Sequence, residues 1–200
     1  LELFLEEPRA ARCTSLTRVT VGGEALSADV AARFADVVGV PLHNLYGPTE
    51  AAVDVLGWTA DGGPVALGVP GWNVRAYVLD PYLNPVPVGA PAELNQAGVQ
   101  LADGYLRRFG LTAQSFVANP FEDGARMYRT GDAVRWRRDG ALEYLGRTDD
   151  QIKLRGVRIE PGEIETVLGA HPAVASARVV VRGDLLVAYY LPAEGSAAPD

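Results

Sequence analysis

Cysteine is nearly absent from this sequence, and so are long apolar runs. Cys13 is the single cysteine, which excludes an internal disulfide and favours the reducing environment of the cytoplasm. No apolar run approaches the roughly 20 residues that span a bilayer, and the first residues lack the charged and apolar regions of a signal peptide. We therefore expect a cytoplasmic protein with no membrane association.

Positive charge is also scarce, with 18 Lys and Arg against 25 Asp and Glu and a formal net charge of −7. Non-specific binding to nucleic acid needs a broad basic surface, so we expect no nucleic-acid partner. An initiator methionine is missing as well, and we expect the chain to be cut from something longer. The remaining composition, 48% hydrophobic and 22% charged, is typical of a globular protein with one or two domains.

The first 50 residues show a strand–helix–strand pattern. Leu16–Val21 is rich in β-branched residues, Ser27 is a good N-cap for a helix that ends at Gly39, and Val40–Leu45 begins a second strand. Such a unit predicts a parallel sheet, in which ligands bind beyond the carboxyl ends of the strands. Two candidate sites lie there: Gly22-Gly23-Glu24 and Tyr46-Gly47-Pro48-Thr49-Glu50.

The second of these candidate sites is built on a tight bend. Gly47-Pro48 is a turn signal, which displays Tyr46, Thr49 and Glu50 around it. A hydroxyl beside a carboxylate suits Mg²⁺, which prefers oxygen ligands, and an exposed tyrosine ring at a strand end can stack on a purine base. The alternative is an ordinary turn with a packed tyrosine and a solvated glutamate.

Short strands and frequent prolines characterise residues 57–100 and predict a small β-barrel or an open antiparallel sheet. Strands are expected at Val74–Leu79 and near Leu94–Leu101, and Thr112 is expected to cap a short helix that reaches about Val117.

A predicted hairpin, Val134–Trp136 with Leu142–Leu145, separates Asp132 from Arg147. Because a hairpin returns the chain to its starting point, this carboxylate and this guanidinium can face one polyhydroxyl group, such as the ribose of a nucleotide. The alternative is a surface salt bridge beside a turn.

The pattern changes at Asp149-Asp150, where adjacent carboxylates favour an exposed position. Strands at Gln151–Leu154 and Val157–Ile159, a helix that begins at Pro161, and a hairpin across Arg182-Gly183-Asp184 follow. We interpret residues 149–200 as a separate small α+β domain, with a linker or loop from residue 193. Residues 1–148 would form a larger domain, an α/β sheet to about residue 80 and a small β-barrel over 81–148.

Three polar motifs occur in order along the chain. They are Asn44-Leu45-Tyr46-Gly47-Pro48-Thr49-Glu50, Tyr128-Arg129-Thr130-Gly131-Asp132, and the run from Gly146-Arg147 through Asp149, Gln151 and Lys153 to Arg155-Gly156. Together they resemble the adenylate-forming superfamily, and their forms are most similar to adenylation domains of nonribosomal peptide synthetases. The resemblance covers essentially the whole chain. It implies the C-terminal half of a large α/β-plus-β domain followed by an incomplete small α+β domain.

The resemblance implies a role for each matching residue. Tyr46 and Tyr144 would sandwich adenine and Asn44 would contact its amine, while Asp132 and Arg147 would hold the ribose. Glu50, helped by Thr49, would meet Mg²⁺ and the phosphates, with Gly23, Glu24 and Gly47 also at the nucleotide. Asp149 would be a hinge between adenylation and thiolation, and Lys153, a candidate catalytic residue, would lie on the face presented for thiolation.

The resemblance also implies an amino-acid side-chain pocket lined by Thr20, Gly22, Leu45, Val53 and Asp54. Asp54 is its only charged member, and a carboxylate in a small apolar pocket is costly unless it meets a cation or hydroxyl. We therefore expect a basic or hydroxylated amino acid as substrate. Asp54 turned aside to a backbone partner is the alternative.

The implied activity is the formation of an aminoacyl-AMP from ATP, followed by transfer to the phosphopantetheine thiol of a peptidyl carrier protein, with an MbtH-like protein as a further partner. The family's phosphate loop, its amino-group aspartate and its C-terminal lysine are absent from these 200 residues, so we expect them alone to be inactive. An acyl- or aryl-CoA ligase and a non-catalytic interaction module are the alternatives.

Three departures from the family pattern fall in the predicted barrel. Ala92 replaces a usual glycine and is expected to strain a turn that requires positive φ. Asn95-Gln96 places polar residues where the strand is usually apolar, and Ala133 replaces a common leucine. We expect these changes to loosen the barrel.

Overall fold

The computed structural model describes residues 1–60, 62–183 and 185–195. The chain forms two compact units, Leu1–Thr148 and Asp149–Asp200. The assignment of the two units as domains of a larger enzyme stays a prediction. The helices are α1 (Glu2–Glu6), α2 (Ala28–Val37), α3 (Phe109–Ser115) and α4 (Pro161–Gly169). The strands of the first unit are β1 (Val19–Gly22), β2 (Leu42–Tyr46), β3 (Leu56–Thr59), β4 (Val69–Pro70), β5 (Val74–Leu79), β6 (Ala92–Gly98), β7 (Phe116–Ala118), β8 (Arg126–Trp136) and β9 (Leu142–Arg147).

The first sheet contains the predicted parallel pair. Its strand order is β1-β2-β3-β4, with β1 parallel to β2 and the other pairs antiparallel. Helix α2 connects the parallel strands and buries Phe34 against Leu42. The Ser27 hydroxyl accepts a bond from the Val30 amide at 3.2 Å, which confirms the predicted N-cap. Both strands begin later than predicted, at Val19 and at Leu42.

The second sheet is antiparallel and five-stranded, in the order β5-β6-β8-β7, with β9 paired to the C-terminal half of β8. Its covered face forms the largest core cluster with residues of the first sheet, including Leu56, Leu94, Val134 and Leu142. The α/β-plus-β fold class is confirmed, and the second sheet is a half-barrel.

Two local predictions in this sheet are wrong. Thr112 lies within α3, not at its N-cap, and α3 ends at Ser115, because Phe116–Ala118 pairs with β8 as strand β7. Ala92 does not occupy a left-handed turn, since it is the first residue of β6 and pairs with Val134. Its side chain therefore causes no strain of the expected kind.

The second unit contains two hairpins and one helix. Its strands are β10 (Ile152–Leu154), β11 (Val157–Ile159), β12 (Val174–Arg182) and β13 (Leu185–Pro192). Helix α4 begins at Pro161, as predicted, and packs against β12. The second hairpin forms with the expected strands, whereas Asp184 and residues 196–200 of the predicted turn and linker lie outside the described residues. Among the described residues, no helix is long and apolar enough to cross a membrane.

Gln96 is a buried polar residue of the second sheet. Its side chain is 0% exposed, and neither its amide nitrogen nor its oxygen has a hydrogen-bond partner. Side chains alternate along a strand, so Gln96 shares a face with Leu94 of the core cluster. A buried polar atom left unsatisfied costs roughly 1–3 kcal/mol, and the buried Asn95 Oδ1 is unsatisfied as well.

We predict that Gln96→Leu stabilises the chain by about 1–3 kcal/mol, because it removes two unsatisfied polar groups and adds apolar contact. The free energy of unfolding in urea measures this change. The matched control is Gln114→Leu, the same change at an exposed position of α3, which should alter stability by less than about 0.5 kcal/mol. A loss of stability in Gln96→Leu would contradict the assignment of Gln96 as a weak point.

Candidate functional site

Asp132 and Arg147 form a buried ion pair at the centre of the candidate site. They occupy directly opposite positions on β8 and β9, and the Arg147 Nη1 to Asp132 Oδ1 distance is 3.0 Å. Their side chains are only 5% and 14% exposed, respectively. The hairpin therefore brings the two groups together as the sequence predicts, and the alternative of a surface salt bridge is wrong.

Tyr46 completes this arrangement from the first sheet, because its hydroxyl donates a hydrogen bond to Asp132 Oδ2. Each carboxylate oxygen of Asp132 thus has its own donor. The prediction of an exposed Tyr46 ring is wrong, since the residue is 9% exposed. Side chains alternate along β2, and Leu42, Asn44 and Tyr46 all point to its covered face.

Burial, and secondly the negative charge of Asp132, raise the pKa of Tyr46 well above its ordinary value of 10.0. The hydroxyl therefore stays protonated at neutral pH and remains a donor to the carboxylate.

A set of contacts that the sequence did not reveal holds the irregular part of β8 before Asp132, where its pairing with β6 shifts register. The Thr130 hydroxyl donates to the Leu94 carbonyl at 2.8 Å and accepts from the Asp132 amide at 3.0 Å. Glu93 accepts from the Gly131 amide at 3.1 Å and pairs with Arg129 at 2.7 Å. These contacts cross between β6 and β8, so only the strand pairing could have indicated them.

Asn44 and Tyr144 lie in the same part of the first unit. The Asn44 side-chain nitrogen donates to the Ala66 carbonyl at 2.9 Å, and the residue is 4% exposed. Tyr144 is half-buried and packs on the core cluster that contains Tyr46. An amine of a ligand could therefore meet Asn44 only through its side-chain oxygen.

The bend after β2 requires glycine at position 47. A Cβ atom there would lie 2.2 Å from the Val53 carbonyl oxygen, because the chain folds back on itself. Ala52 and Val53 close the bend with φ values of 56° and 75°. A left-handed conformation is unusual for a β-branched residue and is a feature of strained, functional turns.

Glu50 is buried on this bend, in the 3-10 turn Thr49–Ala51, while Thr49 is exposed. The Tyr105 hydroxyl donates to Glu50 Oε1 at 2.6 Å, and sequence reasoning did not find Tyr105. A solvated Glu50 is therefore excluded.

No group of three or more metal-ligating side chains occurs among residues 1–60, 62–183 and 185–195. A single carboxylate still fits Mg²⁺, because this ion retains waters and commonly binds one or two carboxylates together with substrate phosphates.

Three of the five predicted pocket residues lie together on the first sheet, because Gly22 pairs with Leu45 and Thr20 lies two positions before Gly22 on β1. Thr20 and Leu45 line an open cleft of about 260 Å³, whereas Val53 and Asp54 are exposed and are not among its lining residues. The other residues that line this cleft are Arg18, His43, Gly57, Trp58 and Thr59. Asp54 does not line this cleft, and its place in a substrate pocket stays a prediction.

The remaining candidates lie at strand ends or in the second unit. Gly22 has no room for a side chain, because a Cβ atom would lie 2.8 Å from the Leu45 carbonyl oxygen, while Gly23 and Glu24 are exposed. In the second unit, Asp149 accepts a bond from the Gln151 amide at 3.1 Å. Lys153 is an exposed residue of β10, opposite Arg158.

The buried Tyr46 hydroxyl predicts a loss of stability at alkaline pH. Above pH 10 the unfolded chain releases the tyrosine proton whereas the folded chain keeps it, so the free energy of unfolding falls as pH rises through this range. One such group contributes up to about 1.4 kcal/mol per pH unit. Urea unfolding between pH 9 and 11 should show a shallower decline in Tyr46→Phe than in the unsubstituted chain.

The control for this titration is Tyr82→Phe, at a tyrosine that is 86% exposed. It should leave the slope unchanged. Equal slopes in Tyr46→Phe and in the unsubstituted chain would show that Tyr46 is not held protonated by burial.

Comparison with known proteins gives many relatives. The chain is 53% identical over 173 residues to vanchrobactin synthetase VabF of Vibrio anguillarum, covering 82% of the chain and 6% of that protein. It is 51% identical over 180 residues to enterobactin synthase component F of Escherichia coli, covering 85% and 14%. It is 52% identical over 202 residues to phosphinothricin tripeptide synthetase PhsB of Streptomyces viridochromogenes, covering 96% and 17%. The chain thus spans less than a fifth of each relative.

Solved structures show the same architecture. PA1221, described as an NRPS protein containing adenylation and PCP domains, superposes with a TM-score of 0.84 at 25% identity, over 98% of this chain and 41% of that one. The Vibrio cholerae adenylation domain AlmE, solved with glycyl-adenosine-5′-phosphate, gives 0.77 at 29% identity, over 88% and 36%. The family model of the AMP-binding enzymes matches residues 1–106, more than half of the sequence. The chain therefore belongs to the AMP-binding enzyme family.

Proposed function

We propose that this chain is part of an amino-acid-activating adenylation domain of a nonribosomal peptide synthetase. In the first step, a carboxylate oxygen of the amino acid attacks the α-phosphorus of ATP and pyrophosphate leaves, which gives an aminoacyl-AMP. In the second step, a phosphopantetheine thiol of a carrier protein attacks the acyl carbon and AMP leaves. The observation that carries this proposal is the buried Asp132–Arg147 pair beside the bend that holds Glu50.

The hydrogen-bond donors and acceptors around Asp132 support the proposal that a nucleotide binds there. A fixed carboxylate is a suitable acceptor for the two hydroxyls of a ribose, and Arg147 fixes its orientation at 3.0 Å. In this proposal Tyr144 offers its ring to the adenine base, and the Asn44 side-chain oxygen accepts from the adenine amine. Tyr46 acts through Asp132, which it orients, and Gly23, Glu24 and Gly47 border the nucleotide.

The phosphate end of the site is assigned to Glu50 and Thr49. Glu50 is the carboxylate that would hold Mg²⁺, with the Thr49 hydroxyl beside it. When bound, Mg²⁺ supplies positive charge that stabilises the phosphate oxygens of the transition state. The contribution of the chain itself is to position the reacting groups, and Lys153 is proposed to act in the thiolation step.

The proposed partners follow from the relatives. PA1221 contains a carrier domain beside its adenylation domain, and we propose a peptidyl carrier protein as the acceptor for this chain. An MbtH-like helper and a cytoplasmic location also stay proposals. We infer that the 200 residues alone do not catalyse adenylation, because they span about two fifths of the adenylation proteins that they resemble.

Amino-acid-dependent exchange of pyrophosphate into ATP tests the proposed activity. We expect exchange from a polypeptide extended at both ends to the length of these relatives, and none from the 200-residue chain. Asp132→Asn in the extended polypeptide should raise the KM for ATP at least roughly tenfold, because it weakens a charged acceptor for the ribose. ATP binding without exchange for any amino acid would contradict the proposed activity and favour a non-catalytic interaction module.

A panel of substrates tests the proposal that Asp54 selects a basic or hydroxylated amino acid. Because Asp54 is exposed in the described chain, its role rests on the resemblance and on the strained bend that presents it. Exchange should be fastest with Arg, Lys, Orn, Ser or Thr, and Asp54→Ala should reduce that preference. Asp29→Ala, at an exposed position of α2, is the matched control. A preference for Leu would contradict the assignment of Asp54.

A further inference from the structure

The loop between β6 and α3 forms hydrogen bonds to both the backbone and the side chain of Glu50. The Ala102 amide donates to the Glu50 carbonyl at 2.8 Å, and the Tyr105 hydroxyl donates to Glu50 Oε1 at 2.6 Å. Hydrogen bonds from a hydroxyl to a carboxylate are short and about twice as strong as those between neutral groups. The backbone and the side chain of Glu50 are therefore fixed by the same loop.

Tyr105 is itself held in place by α3. Its amide donates to the Thr112 hydroxyl at 2.9 Å, and its ring meets the Phe116 ring edge-on with centroids 5.7 Å apart. Gly104 has a φ of 146°, and a Cβ atom there would lie 2.3 Å from the Thr112 methyl group. Only glycine permits this close approach, which brings Tyr105 against α3.

Arg126 anchors the other side of the loop. Its guanidinium donates to the Asp103 carbonyl at 2.9 Å and to the Ala102 carbonyl at 3.2 Å. The loop is thus connected to β8, the strand that carries Asp132. A change in the loop would be transmitted to Glu50, because the Ala102 amide and the Tyr105 hydroxyl both contact it.

We propose that Tyr105 is a positioning residue that orients the Glu50 carboxylate toward the metal–nucleotide complex. This inference rests on the proposed function, since it requires Glu50 to meet a divalent cation. The Tyr105 hydroxyl donates to Glu50 Oε1 and so restricts the orientation of that carboxylate. A purely structural role would need only the aromatic ring, which packs on Phe116.

Tyr105→Phe separates these two roles, because it keeps the ring and removes only the hydroxyl. In the extended polypeptide, we expect the affinity for Mn²⁺ in the presence of ATP, measured by electron paramagnetic resonance, to fall about tenfold. The exchange rate at low Mg²⁺ should fall with it and recover as Mg²⁺ is raised, while the KM for the amino acid stays unchanged. If the variant only lost packing, raising the Mg²⁺ concentration would not restore its exchange rate.

Two further variants complete the experiment. Tyr82→Phe removes a hydroxyl from a residue that is 86% exposed and should leave Mn²⁺ affinity unchanged. Thr112→Val removes the acceptor of the Tyr105 amide with little change in shape, and should weaken Mn²⁺ binding by a smaller factor. Mn²⁺ affinity in Tyr105→Phe equal to that of the unsubstituted protein would overturn the inference. Failure of the unsubstituted protein to bind Mn²⁺ with ATP would instead overturn the proposed function.

Discussion

Removing a carboxylate and a guanidinium from water costs several kcal/mol per ion, and the cost is recovered only if their geometry and hydrogen bonds are good. Asp132 and Arg147 meet this requirement through directly opposite strand positions and through the Tyr46 hydroxyl on the second carboxylate oxygen. Loss of one partner would leave a buried charge uncompensated, at a cost of roughly 3–5 kcal/mol. The hydrogen bond from Tyr46 also connects this ion pair of the second sheet to the first sheet.

A hydrogen bond from a tyrosine hydroxyl to a buried carboxylate occurs at two places in the first unit. Tyr46 donates to Asp132, and Tyr105 donates to Glu50. In both cases burial raises the pKa of the tyrosine, so a neutral donor orients a buried carboxylate. A tyrosine orients the carboxylate without adding a positive charge. Such a charge would repel a metal ion and compete with it for the phosphate oxygens. The two carboxylates that we assign to ribose and to Mg²⁺ are therefore fixed before any ligand arrives.

Local signals in the sequence predict the parallel pair, the Ser27 cap and the meeting of Asp132 with Arg147, because each depends on residues close in the chain or on one hairpin. The errors arise where distant strands decide the outcome. Phe116 continues a helical pattern but pairs with β8, and Tyr46 is buried because β2 lies between β1 and β3. The contacts of Tyr105 with Glu50 and of Thr130 with Leu94 could not be predicted, since the partners are 55 and 36 positions apart in the sequence. The exposure of Asp54 depends on positive φ at Ala52 and Val53, which no residue type there indicates.

The central claim is that the Asp132 carboxylate accepts hydrogen bonds from the ribose hydroxyls. The most direct test compares the binding of ATP and 2′,3′-dideoxy-ATP by the extended polypeptide, measured by titration calorimetry. The account predicts that ATP binds on the order of 10- to 100-fold more tightly, because two hydrogen bonds to a charged acceptor are lost in the analogue. Asp132→Asn should remove most of that difference. Equal affinities for the two nucleotides in the unsubstituted protein would contradict the account.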